Sequence, residues 1–260
     1  MIRTVTATRY ITPFREGGSL PALVEADDGD LYVMKFCGAG QGIKALIAEL
    51  VAGEIARALG LLVPDIVFIE LDGKLGRSEP DEEIHDLLLA SHGLNLGLRY
   101  LPSAFAFNQL LEPPPDNRTA SAVVWFDAYV TNVDRTPRNV NLLLWQNKLW
   151  LIDHGAALYF HHDWSNYMER SRTPFPLIRQ HTLLEFAADV PAADQEAKTL
   201  LTPERLRAIV DLIPTHWLGD EPGFDSSREH REAYLDYLLS RLDASSVFVD
   251  EAIYARSQLV

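Results

Sequence analysis

The sequence predicts an α+β fold, in which a strand-rich N-terminal lobe is followed by a helix-rich C-terminal lobe. Short apolar segments separated by glycine and aspartate turns dominate the chain up to Tyr100, a pattern typical of strands. Longer helical patterns take over after the consecutive prolines at 113–115. With 260 residues, 47% of them hydrophobic, the chain can build one substantial core or two small ones. We place the lobes at 1–101 and 102–260.

The N-terminal lobe is predicted to contain short strands and one long helix. Turn residues at 27–30 and at 72–73 separate the strand candidates. A helix rich in alanine and leucine is predicted before Gly60, which is a plausible C-terminal cap. The predicted strands are 10–13, 22–25, 31–37, 66–71 and 94–101, and the helix is 45–59.

The C-terminal lobe is predicted to be helical around one β-hairpin. Asn117 is expected to cap a helix that runs to Tyr129, and Thr202 followed by proline is a typical helix start. Strands at 141–145 and 149–152 flank a turn around 146–148, and an amphipathic helix is predicted at 228–242.

Charge and cysteine content limit the possible partners and compartments. The net charge of −14 repels nucleic acid backbones and anionic membranes, so we expect neither as a partner. Cys37 is the one cysteine, which excludes an intrachain disulfide. No apolar run is long enough to span a bilayer, and the N-terminus lacks the apolar core of a signal peptide. We therefore expect a cytoplasmic protein.

The segment from Asp134 to Asn139 is the most informative about chemistry. Pro137 stops the preceding helix, so both side chains lie on one tight loop. The hairpin that follows returns Asp153 to a position beside Asn139, because cross-strand neighbours lie about 5 Å apart. Carboxylate and amide oxygens suit Mg²⁺, and a further aspartate can accept the proton of an attacking hydroxyl. Each residue taken alone is also a common turn or cap residue.

Lys35 lies inside the apolar segment 31–37 and needs an anionic partner if it is buried. On the following helix, Glu54 has Arg57 three residues away as a local partner, whereas Glu49 has only small neighbours at the equivalent spacings. We therefore predict an ion pair between Lys35 and Glu49, with Lys35 also reaching nucleotide phosphates. An exposed lysine at a sheet edge and a solvated glutamate are the alternative.

These residues resemble the HipA-like kinases of bacteria. The loop from Asp134 to Asn139 is similar to the D-x-x-x-x-N catalytic loop of the kinase superfamily, and its Asp-Arg start is similar to that of phosphatidylinositol kinases and HipA-like kinases. Asp153-His154-Gly155 resembles the metal-binding D-x-G triplet, with His154 in place of phenylalanine. The resemblance implies a bilobed protein-kinase-like fold with a small antiparallel β-rich N-lobe and a helical C-lobe.

The resemblance also implies activity and residue roles. It implies a phosphotransferase that uses ATP and Mg²⁺ to phosphorylate a hydroxyl, with a protein Ser or Thr as the expected acceptor. Asp134 would be the catalytic base, and Asn139 and Asp153 the metal ligands. Lys35 and Glu49 would complete the catalytic set.

Two further segments are assigned to the nucleotide by position and resemblance. Gly17-Gly18-Ser19 separates the first two predicted strands, where backbone N–H groups can approach phosphates. Ser19 is expected to touch a phosphate or to be self-phosphorylated, although a plain Gly-Gly hairpin turn has the same signature. The segment 94–101 would connect the lobes, with the backbone of Leu98 binding the adenine edge.

Other functions are compatible with parts of the pattern. A non-catalytic nucleotide-binding regulatory module is one alternative, although such a module would not need Asp134 as a base. A small-molecule or lipid kinase could use the same scaffold. His154 together with 161–163 allows a transition-metal site, although no second ligand cluster accompanies it. No Gly-x-Ser-x-Gly motif is present, which disfavours a serine hydrolase.

Overall fold

A computed structural model describes residues 2–14, 20–40, 42–78, 80–110, 113–219 and 221–259. Strands dominate the N-terminal part and helices the C-terminal part, which confirms the predicted α+β class. The strands are β1 (Thr4–Pro13), β2 (Ala22–Ala26), β3 (Leu31–Lys35), β4 (Ile66–Leu71), β5 (Gly93–Arg99), β6 (Phe105–Ala106), β7 (Leu142–Trp145) and β8 (Lys148–Leu151). The helices are α1 (Gly42–Ala58), α2 (Glu82–Ala90), α3 (Asn117–Tyr129), α4 (Tyr167–Arg170), α5 (Val190–Leu200), α6 (Pro203–Val210), α7 (Ser227–Asp243) and α8 (Ser246–Ser257).

The first strands form a closed barrel in the order β1-β2-β3-β5-β4. Neighbours are antiparallel except at the closure, where β1 runs parallel to β4 and Val5 lies opposite Ile69. The predicted antiparallel N-lobe is therefore corrected at one pair. Register shifts between Ala7 and Arg9, and again between Tyr10 and Thr12, bend β1 so that one strand pairs with both β2 and β4.

The strand β5 changes the predicted position of the connection between the lobes. The segment 94–101 was expected to be that connection, but most of it is a barrel strand between β3 and β4. Leu98 lies opposite Val33 on one side and Ile66 on the other. The connection therefore begins after Arg99. Gly97 is glycine because a Cβ there would lie 2.3 Å from Cδ1 of Ile69.

Helix α1 packs on the outside of the barrel. Ten of its residues are buried, including every position from Leu46 to Gly53. At Gly53 an added Cβ would lie 2.6 Å from Cδ1 of Ile66 on β4, so the missing side chain allows the helix to approach the sheet closely. Burial on most sides is why α1 has almost no polar face.

The helical part surrounds α3. Nine of the thirteen residues of α3 are buried, and Trp125 stacks on Tyr129 and meets Phe248 of α8 edge-on. The N-cap of α3 is Asp116, whose Oδ1 accepts from the Thr119 N–H at 2.9 Å, and not Asn117 as predicted. Thr202 caps α6 as predicted. Helices α2, α4, α5 and α8 were not predicted.

The predicted hairpin is present after α3 and directly before the Asp153-His154-Gly155 triplet. Strands β7 and β8 pair antiparallel through a two-residue turn at Gln146 and Asn147, which have φ of 52° and 58°. Such left-handed pairs match the twist of two-residue hairpins. The hairpin is joined to the barrel side by the Leu151 N–H, which donates to the Leu62 carbonyl at 2.8 Å. Within the described ranges, no helix has the length and apolar character needed to cross a membrane.

Candidate active site

Lys35 and Glu49 meet between β3 and α1. Lys35 ends β3 on the face opposite Met34, so it points away from the barrel interior and toward the helix. Its Nζ lies 2.5 Å from Oε2 of Glu49, and the two side chains are 9% and 0% exposed. The predicted ion pair is therefore present, while its role toward a nucleotide stays a prediction.

Charge compensation decides the protonation of this buried pair. Burial alone would raise the pKa of Glu49, but the Lys35 ammonium and the hydrogen bonds from His154 lower it to about 2. Burial alone would also lower the pKa of Lys35, but the carboxylates of Glu49 and Asp153 outweigh it and raise the pKa above its ordinary value. Both groups are therefore charged at neutral pH.

Asp153 joins this pair from the other side. Its Oδ1 lies 2.5 Å from Lys35 Nζ, so the ammonium bridges two carboxylates that are distant in sequence. The backbone of Asp153 has a φ of 55°, a left-handed conformation that non-glycine residues adopt only where their surroundings hold them. Its side chain is 43% exposed, and Lys35 contacts only one of its oxygens. The carboxylate is thus accessible from solvent.

The loop after α3 brings Asp134 and Asn139 together. Backbone hydrogen bonds in both directions between Thr136 and Asn139, at 3.0 and 3.1 Å, close a tight turn around Pro137. The turn points Asn139 back along the chain, and its Nδ2 donates to Oδ2 of Asp134 at 2.6 Å. Because Nδ2 makes this bond, the carboxamide oxygen of Asn139 is directed away from Asp134.

A buried network below this loop was not predicted. Asp127 of α3 accepts from Nδ2 of Asn132 at 2.8 Å and from Nε of Arg135 at 2.6 Å, and its Oδ2 lies 2.9 Å from Nε2 of His181. The Arg135 side chain is fully buried. Burial alone would raise the pKa of Asp127, but Arg135 and the hydrogen bonds lower it to about 2. A lone aspartate within the apolar stretch of α3 was the sequence signal for this network.

Arg135 connects the loop to the hairpin that leads to Asp153. Its Nη1 donates to the carbonyl of Asn141, which precedes β7, and to that of Ile152 at 3.4 Å. Ile152 directly precedes Asp153, and its N–H donates to the Asn141 carbonyl at 3.2 Å. One guanidinium therefore holds the start of the loop and the start of the D-x-G triplet together.

The residues present fit a divalent metal that keeps part of its water. Within the described ranges, no group of three His, Cys, Asp or Glu side chains is arranged to enclose a metal ion. Asp153 and Asn139 offer accessible hard oxygen ligands, the set that Mg²⁺ uses when phosphates and water supply the rest. The alternative transition-metal site at 161–163 is not formed, because His161 is buried with Nδ1 3.0 Å from the Tyr234 hydroxyl.

Two predicted nucleotide contacts are not placed in the site. Gly17, Gly18 and Ser19 lie outside the described residues, so their assignment stays a prediction. Leu98 lies inside the barrel sheet, as described above, so its backbone is not part of the connection to which the adenine contact was assigned. The adenine contact itself stays a prediction.

Comparison with models of protein families shows which family the chain belongs to. The model of the HipA-like kinase family matches residues 8–249, which include the ion pair, the loop and the triplet. The chain belongs to the HipA-like kinase family. No curated protein sequence matches this HipA-like kinase. Family membership supports a phosphotransferase of the kinase type.

The fold of this HipA-like kinase was compared with solved structures of kinases. The Helicobacter pylori proinflammatory kinase CtkA matches with a TM-score of 0.58 and 14% identity, over 100% of both chains. The Golgi casein kinase with manganese and ADP bound matches with a TM-score of 0.49 and 12% identity, over 96% of this chain and 73% of that one. A second structure of the Golgi casein kinase matches with a TM-score of 0.46 and 12% identity, over 94% and 73%. The likeness to CtkA confirms the predicted kinase-like fold.

Proposed function

We propose that this HipA-like kinase transfers the γ-phosphate of ATP to the hydroxyl of a protein Ser or Thr, in a reaction that depends on Mg²⁺. The observation that carries the proposal is the set of hydrogen bonds made by two side chains, Lys35 and Asp134. Lys35 bridges Glu49 and Asp153, and Asp134 is held by Asn139 on the loop tied to the same triplet. A lysine, a carboxylate that can bind a metal and a second carboxylate that can act as a base are the parts that phosphoryl transfer requires.

The roles of the residues follow from their accessible atoms. The nucleotide would lie between the lobes 1–101 and 102–260, with Lys35 facing its phosphates. Asp153 and Asn139 would hold the metal, which when bound neutralises charge on the phosphate oxygens. Because Asn139 contacts Oδ2 of Asp134, Oδ1 is left to accept a proton.

The transfer step then uses Asp134 as the base. The acceptor oxygen forms a bond to the γ-phosphorus while the bond from that phosphorus to the β–γ bridging oxygen breaks. The proton of the acceptor hydroxyl goes to Asp134, and ADP leaves with the electron pair of the broken bond. Asn139 fixes the orientation of the Asp134 carboxylate during this step.

Substitution of the base tests the proposal. We expect Asp134→Asn to lower transfer from γ-labelled ATP by about 10²- to 10⁴-fold, the usual contribution of a general base. Its affinity for ATP with Mg²⁺ should stay within about twofold of wild type, because no phosphate contact is removed. Label recovered as phosphoserine or phosphothreonine would support the protein acceptor.

Two controls complete this experiment. Asp250→Asn removes an exposed carboxylate of α8 and should leave transfer unchanged. Asp153→Asn should weaken metal-dependent binding as well as transfer. If wild type binds ATP but labels neither itself, nor protein acceptors, nor water, the kinase is a non-catalytic nucleotide-binding module. Label that enters only small molecules would instead identify a small-molecule or lipid kinase.

A further inference from the structure

His154 lies in the middle of the triplet and contacts α1 with two of its atoms. Its backbone N–H donates to Oε2 of Glu49 at 2.8 Å, and its ring Nδ1 lies 3.2 Å from Oε1 of the same carboxylate. The ring is fully buried and meets Phe126 of α3 edge-on, with centroids 5.7 Å apart. Both oxygens of Glu49 are thus bound by one residue of the triplet.

The chemistry of the contact shows that ring Nδ1 carries a hydrogen. An ionised carboxylate only accepts hydrogen bonds, so Nδ1 of His154 must be the donor to Glu49. The other nitrogen, Nε2, is buried and has no hydrogen-bond partner among the described residues. Among the described residues, the only hydrogen bond of the His154 ring is therefore the one from Nδ1 to Glu49. A buried polar atom that goes unsatisfied is costly, so the contact to Glu49 has to repay that cost.

The contacts form a closed ring of four residues. Lys35 binds Oε2 of Glu49 and Oδ1 of Asp153, and Glu49 binds His154, which is covalently next to Asp153. The ring contains the strained backbone of Asp153, with its φ of 55°. Gly155 extends the contact, since an added Cβ there would lie 3.7 Å from Cβ of Ala45, one helical turn before Glu49. The triplet and α1 are therefore packed along each other.

We propose that His154 is a positioning residue that couples α1 to the metal-binding triplet, so that Glu49 and Asp153 are held in place together. This inference rests on the proposed function for the roles of Lys35 and Asp153. Phenylalanine, the residue usual at this position in the kinase superfamily, has no donor, and there the side chain can link the triplet to the helix only by packing. In this chain the link is a directional hydrogen bond to a buried charge.

Three substitutions of His154 distinguish the effect of the hydrogen-bond donor from the effect of side-chain volume. His154→Asn keeps a side-chain N–H at the level of Nδ1, whereas His154→Leu and His154→Phe fill space without a donor. The readout is the concentration of Mn²⁺ that half-saturates ADP binding, measured by calorimetry without turnover. We expect it to rise about tenfold in the Leu and Phe variants, as for the loss of one hydrogen bond to a charged group. In the Asn variant it should stay within about threefold of wild type, since the donor is kept.

A second buried histidine provides the matched control. His161 is also fully buried, and its Nδ1 lies 3.0 Å from the Tyr234 hydroxyl. Among the residues that the structure describes, its Nε2 has no hydrogen-bond partner and the ring has no hydrogen bond to Glu49. His161→Leu should lower the unfolding temperature without changing the Mn²⁺ dependence. Equal shifts in both leucine variants would overturn the proposal, because they would reflect general loosening. An Asn variant that behaves like the Leu variant would overturn it as well.

A thermal unfolding cycle without ligand tests the coupling independently of nucleotide binding. We expect the effects of His154→Leu and Glu49→Leu to be non-additive, since each removes the same contact. Additive effects would refute the link. If wild type binds Mn²⁺ and ADP but transfers no phosphate, the proposed function fails while the binding data still decide the role of His154.

Discussion

The candidate active site is built on charged side chains that are buried. Glu49, Asp127 and Arg135 have side chains with no solvent exposure, and Lys35 is nearly as buried. Each has an opposite charge within hydrogen-bonding distance, which is the condition under which buried ions are tolerated. Removing one partner leaves the other unpaired, so substitutions here affect stability as well as chemistry.

Acid sensitivity is expected from Glu49 and Asp127. Their pKa values fall from the ordinary 4.5 and 3.8 to about 2 in the folded protein. A carboxylate with a lowered folded pKa stabilises the protein above its ordinary pKa, and this stabilisation is lost as the pH falls toward the folded value. We therefore expect the free energy of unfolding, measured in urea, to fall steeply between about pH 4.5 and pH 2.

Asp127→Asn isolates one of these contributions. At pH 7 it should cost about 3–5 kcal/mol, because Arg135 is left buried without its counter-charge. The variant should also show a shallower loss of stability below pH 4.5, since one of the two carboxylates no longer titrates. Asp250→Asn on the surface of α8 is the control and should match wild type. A variant with the wild-type acid slope would rule out Asp127 as a source of acid sensitivity.

At the scale of elements, α1 is the component whose position controls the site. It carries Glu49 at its centre and is anchored at its start by Lys44, whose Nζ lies 2.9 Å from Oε1 of Glu221 in the segment before α7. The two side chains are 28% and 19% exposed, so the pair is only partly screened by solvent. The ion pair ties the barrel-side helix to the helical part of the chain.

Charge reversal of this anchor should change turnover. Glu221→Lys places two positive charges together and should reduce phosphoryl transfer by about fivefold at most, as expected for a pair worth about 1 kcal/mol or less. The double variant Lys44→Glu with Glu221→Lys restores the opposite charges and should recover transfer. Steady-state kinetics with labelled ATP measure both effects.

The surface pair of Arg118 and Glu196 is the control for this experiment. It joins α3 to α5 at 2.7 Å and has exposures of 81% and 50%, so Glu196→Lys should not alter transfer. Failure of the double variant to recover would show that Glu221 acts in another way than through Lys44.

At the scale of the whole molecule, the barrel and the helical part share one core. A single cluster of buried residues includes the outer barrel residues Leu96 and Leu98, α1, and the helices around α3. Phe68 of β4 and Trp217 before α7 meet edge-on, with centroids 5.6 Å apart. The barrel interior forms a second, smaller cluster. Because the larger cluster crosses from one part to the other, the two parts should unfold together.

Trp217→Ala tests this shared core. It should lower the free energy of unfolding by about 3–5 kcal/mol, the usual cost of truncating a buried aromatic residue. Trp217→Phe keeps an aromatic contact with Phe68 and should cost less. Wild type should unfold in one transition by circular dichroism and fluorescence. Two separate transitions in wild type would show that the barrel and the helical part are independent.

Much of the site was predictable because its chemistry is local in sequence. Pro137 and the hairpin turn determine where Asn139 and the triplet lie, and small residues around Glu49 indicate a close helix. The network around Asp127 was missed because His181 comes from a distant segment that carries no motif. The connection between the lobes was predicted at 94–101, most of which is strand β5. The extended pattern of this segment does not show that strands flank it on both sides.

The sequence by itself determined the strand-rich first part and helix-rich second part, the tight loop after α3 and the choice of Glu49 as the partner of Lys35. These follow from turn chemistry, spacing and the cost of a buried charge, which act over a few residues. The tertiary structure decided the closure of the barrel by β1 and β4, the place of Leu98 in a barrel strand and the contact of His154 with Glu49. These depend on which distant segments pack together, and that is set by burial over the whole chain.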